Sequence, residues 1–192
     1  MAVLLVALGY LAGSVPFGLI VTKLVAKKDV RAEGSGNIGA TNVARVAGKK
    51  LGALVLFLDA LKAALPVLLA VRLFPAAYPL HAGVGFAAFL GHVFPVWLRF
   101  EGGKGVATAL GSLAVLLPES AAIGFVVWGA IVLVTRVSSV GSLVGGLCAI
   151  VAAFFTGRPL EHALLGVVLL LSMVWTHRGN IQRLVQKKEH RV

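Results

Sequence analysis

The chain has 192 residues, of which 59% are hydrophobic and only 13% charged, and its mean hydropathy is +0.96. Soluble domains run nearer half apolar and a quarter charged. One soluble core of this length could not bury so much apolar surface, so composition excludes a water-soluble globule and predicts a single transmembrane domain over residues 1–192.

The 18 Lys and Arg outnumber the 7 Asp and Glu, an excess that fits nucleic acid, anionic lipid, anionic substrate or membrane topology. Cys148 is the only cysteine, which excludes an intrachain disulfide and a thiolate metal cage.

The N-terminal stretch MAVLLVALGYLAG carries no Lys or Arg ahead of its apolar residues. A cleaved signal normally has a positive segment there, so a retained first span is predicted. Apolar runs follow at about residues 51–73, 81–98, 106–117, 120–135, 140–156 and 160–176, after a first run at about 1–22. Most approach the ~17–25 residues that a hydrocarbon core requires. Val106–Leu117 would rise only about 18 Å as a helix, so it and the fifth run predict a short or partly re-entrant hairpin. Pro75, Pro79, Pro118 and Pro159 lie between runs, whereas Pro16, Pro66 and Pro95 predict kinks or ends.

Basic residues sort to alternate connections. Lys23, Lys27, Lys28, Arg31, Arg45, Lys49 and Lys50 lie between the first two runs. Arg99 and Lys104 follow the third, Arg136 the fifth, and Arg178, Arg183, Lys187, Lys188 and Arg191 the seventh. The positive-inside rule then puts the N-terminus outside and the C-terminus in the cytoplasm, joined by an odd number of spans. The expected fold is an all-α polytopic membrane protein, a seven-span helical bundle. Topology absorbs most of the basic excess, so no nucleic-acid partner is expected.

Two cytoplasmic connections are rich in glycine. The first holds Gly34-Ser35-Gly36-Asn37-Ile38-Gly39-Ala40-Thr41-Asn42, followed by Arg45. Gly34, Gly36 and Gly39 formally match G-x-G-x-x-G, but a dinucleotide site needs a strand before that motif and an acidic residue after it. An anion nest of backbone N–H groups remains the reading. Ser35, Asn37, Thr41 and Asn42 add short donors, and Arg45 can grip two phosphate oxygens. A flexible polar connector is the plainer alternative.

The second connection is Gly102-Gly103-Lys104-Gly105. It lacks Walker A spacing, yet a helix N-terminus beside Lys104 would favour an anion. A tight turn with a snorkelling lysine would look the same.

After the last run comes Thr176-His177-Arg178-Gly179-Asn180. Helical spacing puts His177, Asn180 and Leu184 on one face and turns Arg178 and Arg183 toward headgroups or water. Alone, His177 reads as readily as an interfacial polar residue. Ser138, Ser139 and Ser142 could add hydroxyls to a phosphate site or simply begin a helix. Within the spans, Asp59 and Lys62 would each cost ~2.5–3.5 kcal/mol unpaired. A self-satisfying pair one turn apart is favoured over a chemical role, and His92 is open in the same way.

Together, GSVPFG, VRAEGSGNIGATNVARVAGKK, LDALK, GHVFPVWLRFEGGKGVATALG and HRGNIQRL resemble the bacterial integral-membrane glycerol-3-phosphate acyltransferases that use acyl phosphate. The resemblance covers essentially the whole chain. It implies transfer of a fatty acyl group to the 1-hydroxyl of sn-glycerol 3-phosphate, giving lysophosphatidic acid and phosphate, as the first step of phospholipid synthesis. The implied setting is the bacterial inner membrane with the site toward the cytoplasm. Membrane lipid and other enzymes of lipid synthesis are the implied neighbours, and no cofactor or metal is implied.

On the matching motifs, Ser35, Gly36, Asn37, Gly39, Thr41 and Asn42 would bind the donor phosphate. Arg45, Gly102, Gly103, Lys104, Gly105, Ser142, His177 and Asn180 would bind glycerol 3-phosphate. Arg45, Lys104, His177 and Asn180 would carry the catalysis, with His177 or a substrate phosphate oxygen taking the proton. Gly179 stands where the family often has Glu, Lys187 where a glycine is common before Glu189, and Thr176 where Arg is frequent.

The H-x-x-x-x-D motif of other acyltransferases is absent, since none of His81, His92, His162 and His177 has Asp five residues on. An organophosphate transporter is the rival from another class, but such proteins usually show repeated halves and the two glycine loops differ. A non-enzymatic partner of lipid synthesis would leave the phosphate loops unexplained.

Overall fold

Prolines and glycines set most of the helix ends in the computed structural model, which describes residues 1–191. Helix α1 (Ala2–Gly13) stops before Pro16, and α2 (Phe17–Val21) runs into a π-helical turn at Thr22–Ala26. Helix α3 (Ala40–Ala47) is separated by Gly48 from α4 (Lys49–Leu73). Helix α5 (Tyr78–Val93) ends just before Pro95, and a 3-10 turn follows at Val96–Leu98. Then come α6 (Val106–Leu116), α7 (Pro118–Thr135), α8 (Ser138–Ala153), α9 (Leu160–Thr176) and α10 (Arg178–Val185). No strand occurs among the described residues.

Every predicted apolar run is largely helical, the first being broken at Ser14–Pro16. Four segments are long and apolar enough to cross a membrane: Ala2–Ala26, Lys49–Leu73, Tyr78–Leu98 and Pro118–Thr135. Helices α9 and α10 make a fifth if taken together across their 56° bend, while α6 and α8 are shorter apolar helices. The expected short fourth run is thus α6, with 11 residues. The fifth run differs from expectation: α7 has 18 residues, and the shortfall lies in α8, with 16. Helix α8 stops at Ala153 ahead of Gly157 and Pro159, and Gly157 has φ +66°. Pro66 lies inside α4 without ending it, as membrane helices often tolerate.

The bundle pairs α1 with α5, α4 with α6 and α7 with α8. A main core joins Val84, Phe89, Leu113, Leu165, Leu169 and Met173, and a smaller one joins Leu19, Val30, Ile38, Val43 and Val55 beneath the first glycine loop. Large apolar side chains such as Phe57, Val126, Leu133, Val151 and Leu171 remain exposed on the helix flanks. Surface of that extent marks contact with lipid or another apolar partner.

Small residues permit close crossings. A Cβ added at Gly91 would lie 2.1 Å from the Tyr10 carbonyl oxygen, so α1 and α5 touch backbone to backbone. Gly91→Val should lower unfolding stability by about 1–3 kcal/mol through overpacking. Thermal and denaturant unfolding in detergent would measure this, and an unchanged midpoint would contradict the crossing.

Candidate active site

The first glycine loop is held in shape by two asparagines. Asn42, buried in the first turn of α3, places its amide nitrogen 2.9 Å from the Val30 carbonyl, 3.1 Å from Glu33's and 2.9 Å from Asn37's. Its side-chain oxygen accepts the Ser35 N–H at 2.8 Å, and the Asn37 side chain accepts the Gly39 N–H at 2.8 Å. Buried polar groups satisfied this fully fix one loop conformation. Asn42 therefore spends its hydrogen bonds on the loop's own backbone, which leaves the half-buried Ser35 and Thr41 hydroxyls nearer the open side. Thr41 Oγ1 lies 3.1 Å from Ser138 Oγ on α8, and the Trp128 indole donates to that same oxygen at 3.2 Å.

Lys104 comes from the second glycine loop and reaches α10. Its ammonium donates to Asn180 Oδ1, and its carbonyl accepts the Thr176 hydroxyl at 3.0 Å. The chain bends between α9 and α10 at His177, which turns both His177 and Asn180 into the bundle, where they are buried. His177 Nδ1 lies 2.8 Å from the Met173 carbonyl. An acceptor at that distance fixes the proton on Nδ1 and leaves the Nε2 lone pair bare.

The C-terminal segment closes over this group. Glu189 accepts from Asn180 Nδ2, from Ser139 Oγ at 3.0 Å and from Arg183 Nε at 2.9 Å. Burial alone would raise its pKa, but the bonds from Asn180, Arg183 and Ser139 outweigh burial and hold the carboxyl below its usual range. Arg45 donates to the Arg191 carbonyl at 3.0 Å and to the His190 carbonyl at 3.1 Å. Burial pushes the Lys104 ammonium down to about 8, with Glu189 opposing the fall and Arg183 and Arg45 adding to it.

These groups surround one end of a cavity of about 460 Å³. Ser35, Asn37, Gly39, Thr41, Asn42, Arg45, Lys104, Gly105, Ser142, His177 and Asn180 all line it. Gly36 lines an adjoining hollow of about 370 Å³ beside Lys104 and Arg183. Gly102 and Gly103 line neither. Their N–H groups donate to the Val93 and His92 carbonyls at 3.1 and 3.0 Å, so they fasten the loop from below instead of facing the cavity. Arg183 also departs from the predicted headgroup-facing position, because Glu189 draws it inward. Arg178 remains outside, stacked 4.3 Å from the Trp175 ring.

Residue patterns alone gave no sign that three helix N-termini meet here. The first turns of α3, α6 and α8 supply Ala40 and Thr41, Val106 and Ala107, and Ser138 and Ser139 to the same cavity. Each brings unpaired N–H groups and partial positive charge. Such ends, with Arg45 and Lys104, make this end of the cavity electropositive, which suits an anion. Glu189 and Trp128 likewise belong to the site; neither has a local pattern that places it there.

Away from the polar end, the cavity runs among Leu110, Leu113, Phe125, Ile150, Leu169 and Leu170. A polar head joined to an apolar trough suits an amphipathic ligand with one anionic end.

A family model described as glycerol-3-phosphate acyltransferase matches residues 3–187. A glycerol-3-phosphate acyltransferase of Myxococcus xanthus (strain DK1622) is 58% identical over 187 residues, covering 97% of each chain. One of Anaeromyxobacter dehalogenans (strain 2CP-C) is 54% identical, covering 98% of this chain and 96% of the relative. The solved structure of PlsY (YgiH), described as an integral membrane glycerol 3-phosphate acyltransferase in its glycerol 3-phosphate form, superposes with a TM-score of 0.94 at 42% identity. That match covers 100% of this chain and 95% of the other. Its lysophosphatidic acid form gives a TM-score of 0.92 at 42% identity, covering 99% and 94%. The cationic polar head, the apolar trough and a match over nearly the whole chain agree, and this integral membrane chain belongs to the glycerol-3-phosphate acyltransferase family.

Proposed function

We propose that the chain transfers a fatty acyl group from acyl phosphate to the 1-hydroxyl of glycerol 3-phosphate, releasing phosphate and lysophosphatidic acid. The observation that carries this reading is the single cavity in which three helix N-termini and two cations meet an apolar trough. Two phosphates bring close to four negative charges, and the fixed dipoles with Arg45 and Lys104 oppose them. The trough takes the acyl chain, where each buried CH₂ contributes about 0.8 kcal/mol.

In this reading the loop from Ser35 to Asn42 holds the donor phosphate. Arg45, Lys104, Ser142, His177 and Asn180 hold glycerol 3-phosphate, and Gly102, Gly103 and Gly105 shape the loop that presents Lys104. The glycerol oxygen attacks the acyl carbonyl carbon, forming the ester bond. The bond from that carbon to the phosphate oxygen breaks, and phosphate leaves with the electron pair. The hydroxyl proton passes to His177 Nε2. Placement of two bound reactants and fixed charge supply most of the rate.

Glu189 and the carbonyls of His190 and Arg191 occupy the bonding capacity of Asn180 and Arg45, so substrate entry displaces this segment. The seven apolar runs lie in the inner membrane, those of α6 and α8 as short or partly re-entrant members, with the N-terminus outside and the site toward the cytoplasm, which fits the basic residues gathered at that end.

The test supplies purified protein with glycerol 3-phosphate and either palmitoyl phosphate or palmitoyl-CoA, reading lysophosphatidic acid and phosphate. One phosphate per lysophosphatidic acid from the acyl phosphate is expected. Product from palmitoyl-CoA alone would overturn the donor, and no product from either would overturn the activity.

A further inference from the structure

Beneath the second glycine loop lies a buried polar cluster that the reaction above does not use. Asp59, Lys62 and His92 are 1%, 6% and 4% exposed. The Lys62 ammonium sits 2.7 Å from Asp59 Oδ1, an ion pair set off the direction of a well-aligned hydrogen bond. It donates to the Val15 carbonyl at 2.6 Å and to His92 Nδ1 at 3.0 Å. The ion pair and these two bonds thus join α4, the break before Pro16 and the last turn of α5. Because an ammonium can only donate, His92 Nδ1 accepts and Nε2 carries the hydrogen.

The other edge of that imidazole meets the loop. A Cβ added at Gly103 would lie 2.1 Å from His92 Nε2, so only glycine lets the backbone rest on the ring. The Gly103 N–H also donates to the His92 carbonyl at 3.0 Å. His92 therefore grips the residue next to Lys104 through both its ring and its backbone. Stability alone does not require such a cluster, since apolar residues of similar volume often replace a buried ion pair without loss. A buried ion pair whose ammonium is also bonded to Val15 and His92 favours one arrangement of the segments it joins.

We infer that Asp59, Lys62 and His92 form a positioning brace that holds the Gly102–Gly105 loop and so sets where the Lys104 ammonium meets the acceptor phosphate. The inference rests on the reading of Lys104 as a ligand of glycerol 3-phosphate. None of the three brace residues is a catalytic residue in this account. Asp59 and His92 also border the cavity, and their effect on Lys104 passes through Gly103.

The test compares the Asp59→Leu/Lys62→Met double variant, His92→Phe and Lys104→Met with the parent in detergent micelles. The double variant removes the ion pair whole, leaving no orphaned charge to unfold the bundle. His92→Phe keeps a ring under the loop and removes the acceptor for Lys62. Both are expected to raise KM for glycerol 3-phosphate about tenfold while KM for acyl phosphate stays within twofold. Hydrogen exchange of the Gly102–Lys104 amides should quicken in both.

Unchanged exchange at those amides would overturn the brace, as would equal rises in the two KM values. Quickened exchange with acceptor KM unchanged here but raised in Lys104→Met would also overturn it. If Lys104→Met itself leaves the acceptor KM unchanged, the reading of Lys104 fails, and quickened exchange still supports the brace on the loop. Adding Asp59→Leu/Lys62→Met to Lys104→Met should raise the acceptor KM no further, because both act through one ammonium.

Discussion

Lys104→Met is expected to lower kcat/KM for glycerol 3-phosphate about 100-fold, with most of the loss in KM. A charge-assisted hydrogen bond contributes about 1.5–3 kcal/mol, and about 1.4 kcal/mol is tenfold. Lys104 is half-buried, and its ammonium is fixed by Asn180 while its carbonyl is fixed by Thr176, so solvent screens the contact weakly. Lys104→Arg should not restore activity, because a longer planar fork replaces a compact charge in a space shaped for one.

The same residue gives a pH signature. Burial brings its ammonium down to about 8, so Lys104 carries its charge below that pH and loses it above. A plot of kcat/KM for glycerol 3-phosphate reports groups of the free enzyme. It should be flat near neutrality and fall about tenfold per pH unit above 8. The alkaline limb should vanish in Lys104→Met. A limb of the same position in that variant would show that another group causes it.

Much of the fold could be read from local pattern. The run at 160–176 is α9 residue for residue, and the run at 51–73 lies within α4. Hydropathy reports how a segment meets its solvent, so it finds helices well. It reports poorly on which helices face each other. The i, i+3 spacing rightly put His177 and Asn180 on one side, yet the bend that turns them inward is a tertiary feature.

Asp59 and Lys62 were readable as a pair because they stand three positions apart on one helix. Their link to His92 spans two helices and has no local signature. Gly102 and Gly103 look like phosphate ligands beside Lys104 but fasten to the end of α5. A glycine admitted for close approach and a glycine admitted for an anion read alike in a sequence. Glu189 was visible only as a matching family position; that it gathers Asn180, Ser139 and Arg183 depends on the fold of the last residues.

His177→Phe is expected to lower kcat by at least about 100-fold, the usual range for loss of a positioned acid or base being 10²–10⁴. The side chain is 2% exposed, and the Met173 carbonyl holds Nδ1–H at 2.8 Å. Nε2 is then the only site on the ring that can take a proton. It does so against burial, the larger effect, and beside Lys104, whose positive charge further opposes imidazolium formation. That opposition makes His177 a weak base until phosphate arrives, and two bound phosphates would reverse the local field.

Phosphate is already a good leaving group, so a modest base is sufficient. If a substrate phosphate oxygen takes the proton instead, His177→Phe should raise KM for glycerol 3-phosphate and leave kcat within a few-fold. His177→Gln, whose amide oxygen can accept a hydrogen bond from the glycerol hydroxyl but cannot take up its proton, separates the two. Restored kcat in His177→Gln would remove the histidine from proton transfer and leave it a ligand, whereas loss of kcat in both variants with KM little changed would keep it as the base.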